Sequence, residues 1–122
     1  MAIKILLLMI LCHILDDFVL QPICLSNLKQ KSWWEKNDPD KMYKNDYLVA
    51  LGIHALSWSI MIHLPILFLL AYNPIALAIS VFVNFYFHFV VDDLKANRHE
   101  FNLAQDQFFH FIQIIVTFLY FI

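Results

Sequence analysis

Four long apolar segments alternate with polar stretches along the chain, at about residues 2–20, 47–72, 75–94 and 104–122. A helix needs roughly 20 predominantly apolar residues to cross a bilayer, and each segment is close to that length. The pattern predicts an all-α membrane protein in which four transmembrane helices form a single domain, an up-down-up-down bundle. Pro65 predicts a kink in the second helix. Asn73-Pro74 predicts a tight turn before the third.

Positive charge is concentrated in the two longer polar stretches. The connection 21–46 carries five lysines and the connection 95–102 carries Lys95 and Arg98, whereas the N-terminal end has Lys4 alone. The positive-inside rule therefore places both polar connections in the cytoplasm and both termini on the other side. The sequence predicts a multi-pass protein of the cell (inner) membrane, with the amphipathic pair Trp33-Trp34 at the headgroup level.

The composition agrees with a membrane location and excludes one class of partner. Of 122 residues, 61% are hydrophobic and only 15% are charged. A soluble domain is nearer half apolar and a quarter charged. The formal net charge of -2 excludes a strongly basic nucleic-acid-binding protein. The lipid bilayer is the expected partner, and a homo-oligomer is left open.

Histidine and aspartate recur at helical spacing inside the apolar segments. Three segments carry such a pair four residues apart, and the second carries a single histidine: His13/Asp17, His54, His88/Asp92 and Asp106/His110. Residues four apart share a helix face. In the predicted topology all seven lie within about two turns of the cytoplasmic side. The reversed order in the fourth segment is what an antiparallel helix needs to match that depth, so the sequence predicts one cluster.

Buried carboxylates at this depth need a counter-charge. A charged aspartate at the centre of a membrane helix costs roughly 2.5–3.5 kcal/mol on insertion scales. The helix interiors hold no lysine or arginine apart from Lys4 at the far end. Divalent cations are the expected counter-charge, and the ligand types suit two neighbouring ions with a bridging carboxylate, either Zn, Mn or Fe. The expected metal ligands are His13, Asp17, His54, His88, Asp92, Asp106 and His110.

Further roles are expected for residues in and around this cluster. Asp17, Asp92 and Asp106 are also the expected catalytic groups, and Lys29 and Lys95 are expected to bind an anionic substrate. Gln21 and Gln107 are expected either to hydrogen-bond the ligands or to be ordinary helix-end residues, and Asn84 is expected to orient His88. Asp16 and Asp93 should point away, because successive residues of an α-helix are about 100° apart. His63 is expected to be a hydrogen-bonded packing residue.

The same motifs resemble those of a known family. The sequences HILDDFVLQ, HFVVDDLK and DQFFH, together with His54 and Lys29, resemble the uncharacterised bacterial membrane-protein family called domain of unknown function 3307. The resemblance covers nearly the whole chain and implies a membrane protein without an established activity. The His/Asp pairs are also distantly similar to those of membrane-embedded metal-dependent hydrolases, which is an analogy of arrangement.

Several functions fit these features. The favoured one is a membrane-embedded metal-dependent hydrolase, with metal-activated water attacking a phosphoester or lipid-like anionic substrate, such as a phospholipid, a prenyl phosphate or a nucleotide. The first alternative is a divalent-metal or proton transporter or channel that uses the same cluster. The second is a structural or regulatory membrane subunit stapled by metal, and a metal-free polar network that fixes helix register is the simplest alternative.

Overall fold

Six α-helices and no strand make up the computed structural model, which describes residues 1–122 and is 83% helical. The expected all-α class is therefore confirmed. The helices are α1 (Ala2–Ile14), α2 (Ile23–Leu28), α3 (Lys31–Asn37), α4 (Asp46–Leu69), α5 (Pro74–Ala96) and α6 (Leu103–Phe121). A π-helical segment, Leu15–Leu20, continues α1, and a 3₁₀ turn, Lys41–Tyr43, precedes α4.

The four long helices form a ring in which each contacts two neighbours. α1 packs on α4, α4 on α5, α5 on α6, and α6 on α1. The C-terminal end of α1 lies beside the N-terminal end of α4, since Asp17 approaches His54 there. Short connections make α5 and α6 antiparallel to their predecessors. The order along the chain is thus up, down, up, down.

Two of these helical stretches are long and apolar enough to cross a membrane. They are Lys41–Leu69, with 29 residues and a mean hydropathy of 1.6, and Pro74–Ala96, with 23 residues and a mean hydropathy of 1.9. These correspond to the second and third segments of the sequence pattern. The first and fourth segments are also helical, with 13 residues in α1 and 19 in α6.

The connection between α4 and α5 differs from the expected tight turn. α4 runs through Pro65 and ends at Leu69, three residues before the predicted boundary. Asn73 is the N-cap of α5, because its Oδ1 accepts hydrogen bonds from the next helix's first backbone N–H groups. Pro74 is the first helical residue, a position that needs no N–H. Residues 70–73 therefore form the connection.

The polar connection between α1 and α4 is folded rather than extended. α2 and α3 pack against α4, and the indole N–H of Trp34 donates to the Leu28 carbonyl at 2.8 Å. Asn97, at the end of α5, clamps this connection: its amide donates to the Lys29 carbonyl and its Oδ1 accepts from the Lys31 N–H. The clamp holds Lys29 against the end of the bundle.

The interior of the bundle is divided into an apolar and a polar half. Six fully buried side chains form the apolar half: Ile5, Met9, Trp58, Ile62, Ile66 and Ile114. Over the whole chain the buried set contains twelve polar or charged residues and ten apolar ones. Large apolar side chains such as Phe82 and Val116 instead lie on the outer faces, more than half exposed. The polar half lies at the end that carries both polar connections.

Candidate metal centre

All seven predicted ligands converge at the polar end of the ring. Asp17 Oδ1 lies 3.3 Å from His54 Nε2, which lies 3.5 Å from Asp92 Oδ2. Across the site, His110 Nε2 lies 3.4 Å from Asp92 Oδ1 and 3.3 Å from Asp106 Oδ1. His88 Nε2 approaches Asp92 Oδ1 at 3.6 Å, and His13 Nδ1 lies 3.5 Å from Asp17 Oδ2. One cluster thus draws on α1, α4, α5 and α6.

The spacing between these atoms is that of ligands around an ion. Separations of 3.3–3.6 Å are longer than the roughly 2.7–3.2 Å of an N–H···O hydrogen bond. Zinc binds nitrogen and oxygen at about 2.0–2.2 Å in a tetrahedron, which puts neighbouring ligand atoms about 3.3–3.6 Å apart. Two groups of three residues bring their ligand atoms within 4.8 Å of one another: Asp17, His54 and His88, and His88, Asp92 and His110.

Several of the converging atoms lack a hydrogen-bond partner although they are buried. They are Asp16 Oδ2, Asp17 Oδ1, both ring nitrogens of His88, Asp106 Oδ1 and His110 Nε2. Leaving one such group unsatisfied costs about 1–3 kcal/mol. Buried polar atoms are normally paired, so a concentration of unpaired ones at a single place fits a site for a cation.

Each carboxylate has one oxygen held by a hydrogen bond or an ion pair, and its other oxygen approaches a histidine. At Asp92 the held Oδ2 also lies 3.5 Å from His54 Nε2. The holding contacts are Ser57 Oγ to Asp16 Oδ1 (2.6 Å), Gln107 Nε2 to Asp17 Oδ2 (3.2 Å), Lys29 Nζ to Asp92 Oδ2 (2.7 Å) and Lys95 Nζ to Asp106 Oδ2 (2.7 Å). Metal-ligating carboxylates are commonly oriented in this way by outer hydrogen bonds. The pattern repeats on three different helices.

The lysines correct one step of the sequence interpretation. Salt bridges to lysine were discounted because the helix interiors contain none, but the fold brings in Lys29 from the connection and Lys95 from the rim. Lys29 is buried and bonds both Gln21 Oε1 and Asp92, so Gln21 acts through the lysine. Two of the four carboxylates are thereby compensated. With neutral histidines, two negative charges remain, the equivalent of one divalent cation.

His13 lies in the cluster, but both of its ring nitrogens have hydrogen-bond partners of their own. The indole N–H of Trp58 donates to His13 Nδ1 at 2.8 Å. Because indole nitrogen can only donate, Nδ1 is the acceptor and the proton lies on Nε2, which donates to Gln107 Oε1 at 3.0 Å. Both ring nitrogens are occupied. No signal near His13 in the sequence pointed to Trp58, 45 positions away.

Asp16 was expected to point away, yet it is 2% exposed and its free oxygen lies 3.7 Å from His54 Nδ1. The cause is the π-helical segment Leu15–Leu20, in which Gln21 N bonds the carbonyl five residues back, on Asp16. A wider turn separates successive residues by a smaller angle than an α-helix, so Asp16 and Asp17 both reach inward. π-helical turns are rare in proteins overall, and those that occur are often found at functional sites.

Asn84 does not hydrogen-bond His88 but belongs to a hydrogen-bond network behind His110. Its amide donates to Thr117 Oγ1 at 2.8 Å and to the Ser80 carbonyl at 3.0 Å. Gln113, which the sequence analysis missed, donates to Asn84 and accepts from His110 Nδ1 at 3.3 Å. His110 Nε2 is thus left facing the carboxylates.

Aromatic stacking holds the histidines of the second ligand group. His88 lies between the Trp58 indole, with ring centroids 4.2 Å apart, and the His110 imidazole, at 4.1 Å. Trp58 was not identified from the sequence as a site residue. In the sequence, Trp58 resembles any other apolar residue of a spanning helix. Only the fold shows that it contacts both His13 and His88.

Two expectations about residues outside the cluster agree with the structure. His63 is a hydrogen-bonded packing residue: Nδ1 donates to the Ser59 carbonyl at 2.7 Å, and Nε2 contacts Ser80 Oγ at 2.8 Å. Asp93 faces away from the cluster, where it accepts from Asn97 at 2.8 Å and lies 3.3 Å from Arg98 Nε.

A cavity of about 180 Å³ gives access to the cluster from the polar end. It is lined by Asp17, His54, Asp92 and Asp106, with Lys29, Lys95, Gln21, Gln107, Phe18 and Leu103 at its sides. A neighbouring cavity of about 270 Å³ shares Gln21, Lys29, Asp92 and Lys95 and continues to His99 in the second connection. A separate apolar groove of about 300 Å³ between α5 and α6 contains none of the seven predicted ligands.

Fold and site together define an all-helical protein whose long helices enclose a histidine–aspartate cluster suited to divalent metal. The chain belongs to the family described as "Protein of unknown function (DUF3307)", whose family model matches residues 5–122. This match confirms the resemblance seen in the sequence motifs. No curated protein and no solved structure matches the chain.

Proposed function

We propose that this protein is a membrane-embedded metal-dependent hydrolase that acts on a phosphoester at the cytoplasmic face. The observation that carries the proposal is the set of buried, partnerless carboxylate oxygens and imidazole nitrogens that converge at ligand spacing. Their cavity opens towards the polar connections. A hydrolytic site needs both features, a place for metal and a path for substrate and water.

All four long helices span the inner membrane in this proposal, with both polar connections in the cytoplasm. Two helices meet the length and hydropathy of a span. The arrangement of the side chains supports the other two: Leu7 and Leu11 of α1 and Phe108 and Leu119 of α6 lie exposed on the outside of the ring. Contiguous exposed apolar surface of this extent is rare on proteins in water and normal where lipid covers it.

Two ions would occupy the proposed centre, and Asp92 would contribute to both. Asp17, His54 and Asp92 would hold one ion, and Asp92, His88, His110 and Asp106 would hold the other. Neighbouring ligand atoms of these residues lie 3.3–3.6 Å apart. Mixed imidazole and carboxylate ligands suit Zn, Mn or Fe. His88 belongs to both groups of close ligand atoms.

The charge balance favours an anionic substrate. Four carboxylates and the two lysines leave two negative charges, so two divalent ions would leave the site with two positive charges. An anionic phosphoester would offset them. The ions would lower the barrier by polarising the phosphoryl oxygen and by generating hydroxide near neutral pH. Asp17 and Asp106, which line the cavity, would take part in catalysis by holding these ions.

Lys95 is the better placed of the two lysines for substrate binding. Its side chain is 36% exposed at the cavity, and only one of its three N–H groups is used, by Asp106. Lys29 is buried and uses two of its three, so its main role is to hold Asp92. A lysine at the rim can bring its ammonium to the headgroup region on a long apolar stem.

The apolar half of the bundle favours hydrolysis over transport. Ile5, Met9, Ile62, Ile66 and Ile114 are fully buried beyond the cluster and provide no ligand for an ion on its way across. A charge in such surroundings costs several kcal/mol or more. The transporter and the metal-stapled structural subunit remain the rival outcomes of the test.

The test pairs two neighbouring aspartates. Purified protein in liposomes is assayed for hydrolysis of phospholipids, prenyl phosphates and nucleotides with Zn, Mn or Fe, and for divalent-ion flux. Asp92→Asn should abolish turnover together with metal binding, whereas Asp93→Asn should preserve both. Metal-loaded protein that hydrolyses none of these compounds but carries ions across liposomes would replace the hydrolase by a transporter. Protein that binds metal but shows neither hydrolysis nor ion flux would favour the metal-stapled structural subunit.

A further inference from the structure

We infer that His13 is a positioning residue that fixes the orientation of the Gln107 amide and, through it, aims Asp17 and Asp106 at the metal. The inference rests on the metal centre of the proposed function but not on hydrolysis. It replaces the ligand role that the spacing of His13 and Asp17 suggests. The residues that carry it form a chain from Trp58 through His13 and Gln107 to two carboxylates.

Every hydrogen bond of this chain has a fixed direction. Trp58 Nε1 can only donate, so His13 Nδ1 accepts at 2.8 Å and His13 Nε2 must carry the ring proton. That N–H donates to Gln107 Oε1 at 3.0 Å. The Gln107 NH₂ group then faces Asp17 Oδ2 and Asp106 Oδ2, each at 3.2 Å. The indole proton thus decides the orientation of an amide that is two hydrogen bonds away.

The opposite amide orientation is excluded on both sides. A flipped Gln107 would place its NH₂ group against the His13 Nε2–H and its carbonyl oxygen against two carboxylate oxygens. Donor would meet donor and acceptor would meet acceptors, next to the fully buried His13 ring and the buried Asp106 carboxylate. His13 cannot relieve this by changing tautomer, because its Nδ1 would then carry a proton against the Trp58 N–H.

The chain couples helices that the metal must hold together. Trp58 lies on α4, His13 and Asp17 on or just after α1, and Gln107 and Asp106 on α6. By holding one oxygen of each carboxylate, Gln107 leaves Asp17 Oδ1 and Asp106 Oδ1 free and directed inward, where both lack other partners. Outer hydrogen bonds of this kind commonly contribute 10–100-fold to metal affinity.

The experiment measures metal affinity and metal number in His13→Leu, Gln107→Leu and the double variant, by chelator competition with Zn²⁺ and by the visible spectrum with Co²⁺. His63→Leu is the matched control, since His63 is equally buried with both nitrogens hydrogen-bonded but lies outside the cluster. We expect the single variants to bind as many ions as the unmodified protein, about 10–100-fold more weakly, with shifted Co²⁺ bands. The double variant should be no weaker than the worse single one.

Each other result overturns a defined part of the proposal. Loss of one ion in His13→Leu would make His13 a ligand, and unchanged affinity or strictly additive losses would remove the coupling. If His13→Leu does not fold, Gln107→Leu, near the rim, still tests the inference. An unchanged metal affinity in Gln107→Leu would show that the hydrogen-bond chain does not aim the carboxylates. Unmodified protein that binds no metal overturns this inference and the proposed function together. Bound metal with the expected losses but no hydrolysis sinks the proposed function alone.

Discussion

At the scale of single residues, environment rather than residue type separates the roles. The cluster contains histidines that spacing alone cannot distinguish, yet His13 has both nitrogens hydrogen-bonded whereas His88 has neither. Lys29 and Lys95 likewise differ, since one is buried between Gln21 and Asp92 and the other lies partly exposed at the cavity. Substitutions at these positions should therefore have different consequences.

Lys29→Met should destabilise the protein, because it leaves Asp92 as a buried carboxylate without its ammonium partner. Breaking one side of a buried ion pair costs about 3–5 kcal/mol. The measurement is denaturant-induced unfolding in detergent of metal-stripped protein. The double variant Lys29→Met/Asp92→Asn should recover part of the loss, and a single variant as stable as the unmodified protein would contradict the pairing.

Lys95→Ala should leave the metal bound and weaken the anionic substrate. Its ammonium is the freer of the two at the cavity, and a hydrogen bond to a charged group is worth about 1.5–3 kcal/mol. Metal analysis and KM for whichever phosphoester is hydrolysed would be compared with those of Arg98→Ala, a cation of the same connection that pairs with Asp93 outside the cluster. Equal KM values in the two variants would remove Lys95 from the substrate site.

At the scale of the elements, the sequence predicted the long helices well and their local departures badly. The apolar segment 75–94 predicted α5, which the structure has at Pro74–Ala96, within two residues at each end. The prediction that the His/Asp pairs meet at one depth was correct, because the depth of a residue depends only on helical rise and topology. The π-segment Leu15–Leu20 was not predictable, since apolar periodicity over six residues does not distinguish five-residue from four-residue hydrogen bonding.

The π-segment gives a prediction that separates the two Asp-Asp pairs. Asp16→Asn should weaken metal binding by roughly tenfold, as loss of an outer partner of a ligand does, because Asp16 approaches His54. Asp93→Asn, the corresponding substitution on the α-helical α5, should leave the affinity unchanged. Chelator competition compares the two. Equal affinities would mean that Asp16 makes no contribution despite its burial.

At the scale of the whole molecule, the bundle is polar inside at one end and apolar outside. Contacts between distant parts of the chain could not be foreseen from spacing: Lys29 reaches Asp92 across 63 positions, and Trp58 reaches His13 across 45. The sequence interpretation therefore missed the lysine partner of Asp92 and the indole partner of His13. The convergence of four helices on one depth was foreseen because it follows from topology alone.

The proposed orientation predicts which positions an external reagent can reach. In a background with Cys12→Ser and Cys24→Ser, a cysteine at Ile122 should react in intact cells with a membrane-impermeant thiol reagent. A cysteine introduced in place of Lys36, in the connection between α1 and α4, should react only after the membrane is permeabilised. The positive charge of the connections is the reason. The reverse labelling pattern would invert the topology and move the site to the outer face.

The measurement closest to the central claim is the number of divalent ions held per chain, with their positions from anomalous scattering at the absorption edge of the bound element. Two ions should lie on either side of Asp92, one beside Asp17 and His54 and the other beside His88, His110 and Asp106. Asp92→Asn should remove both, and His63→Leu neither. Protein that retains no ion after growth and purification with Zn, Mn and Fe, while its cluster stays intact, would contradict the metal centre.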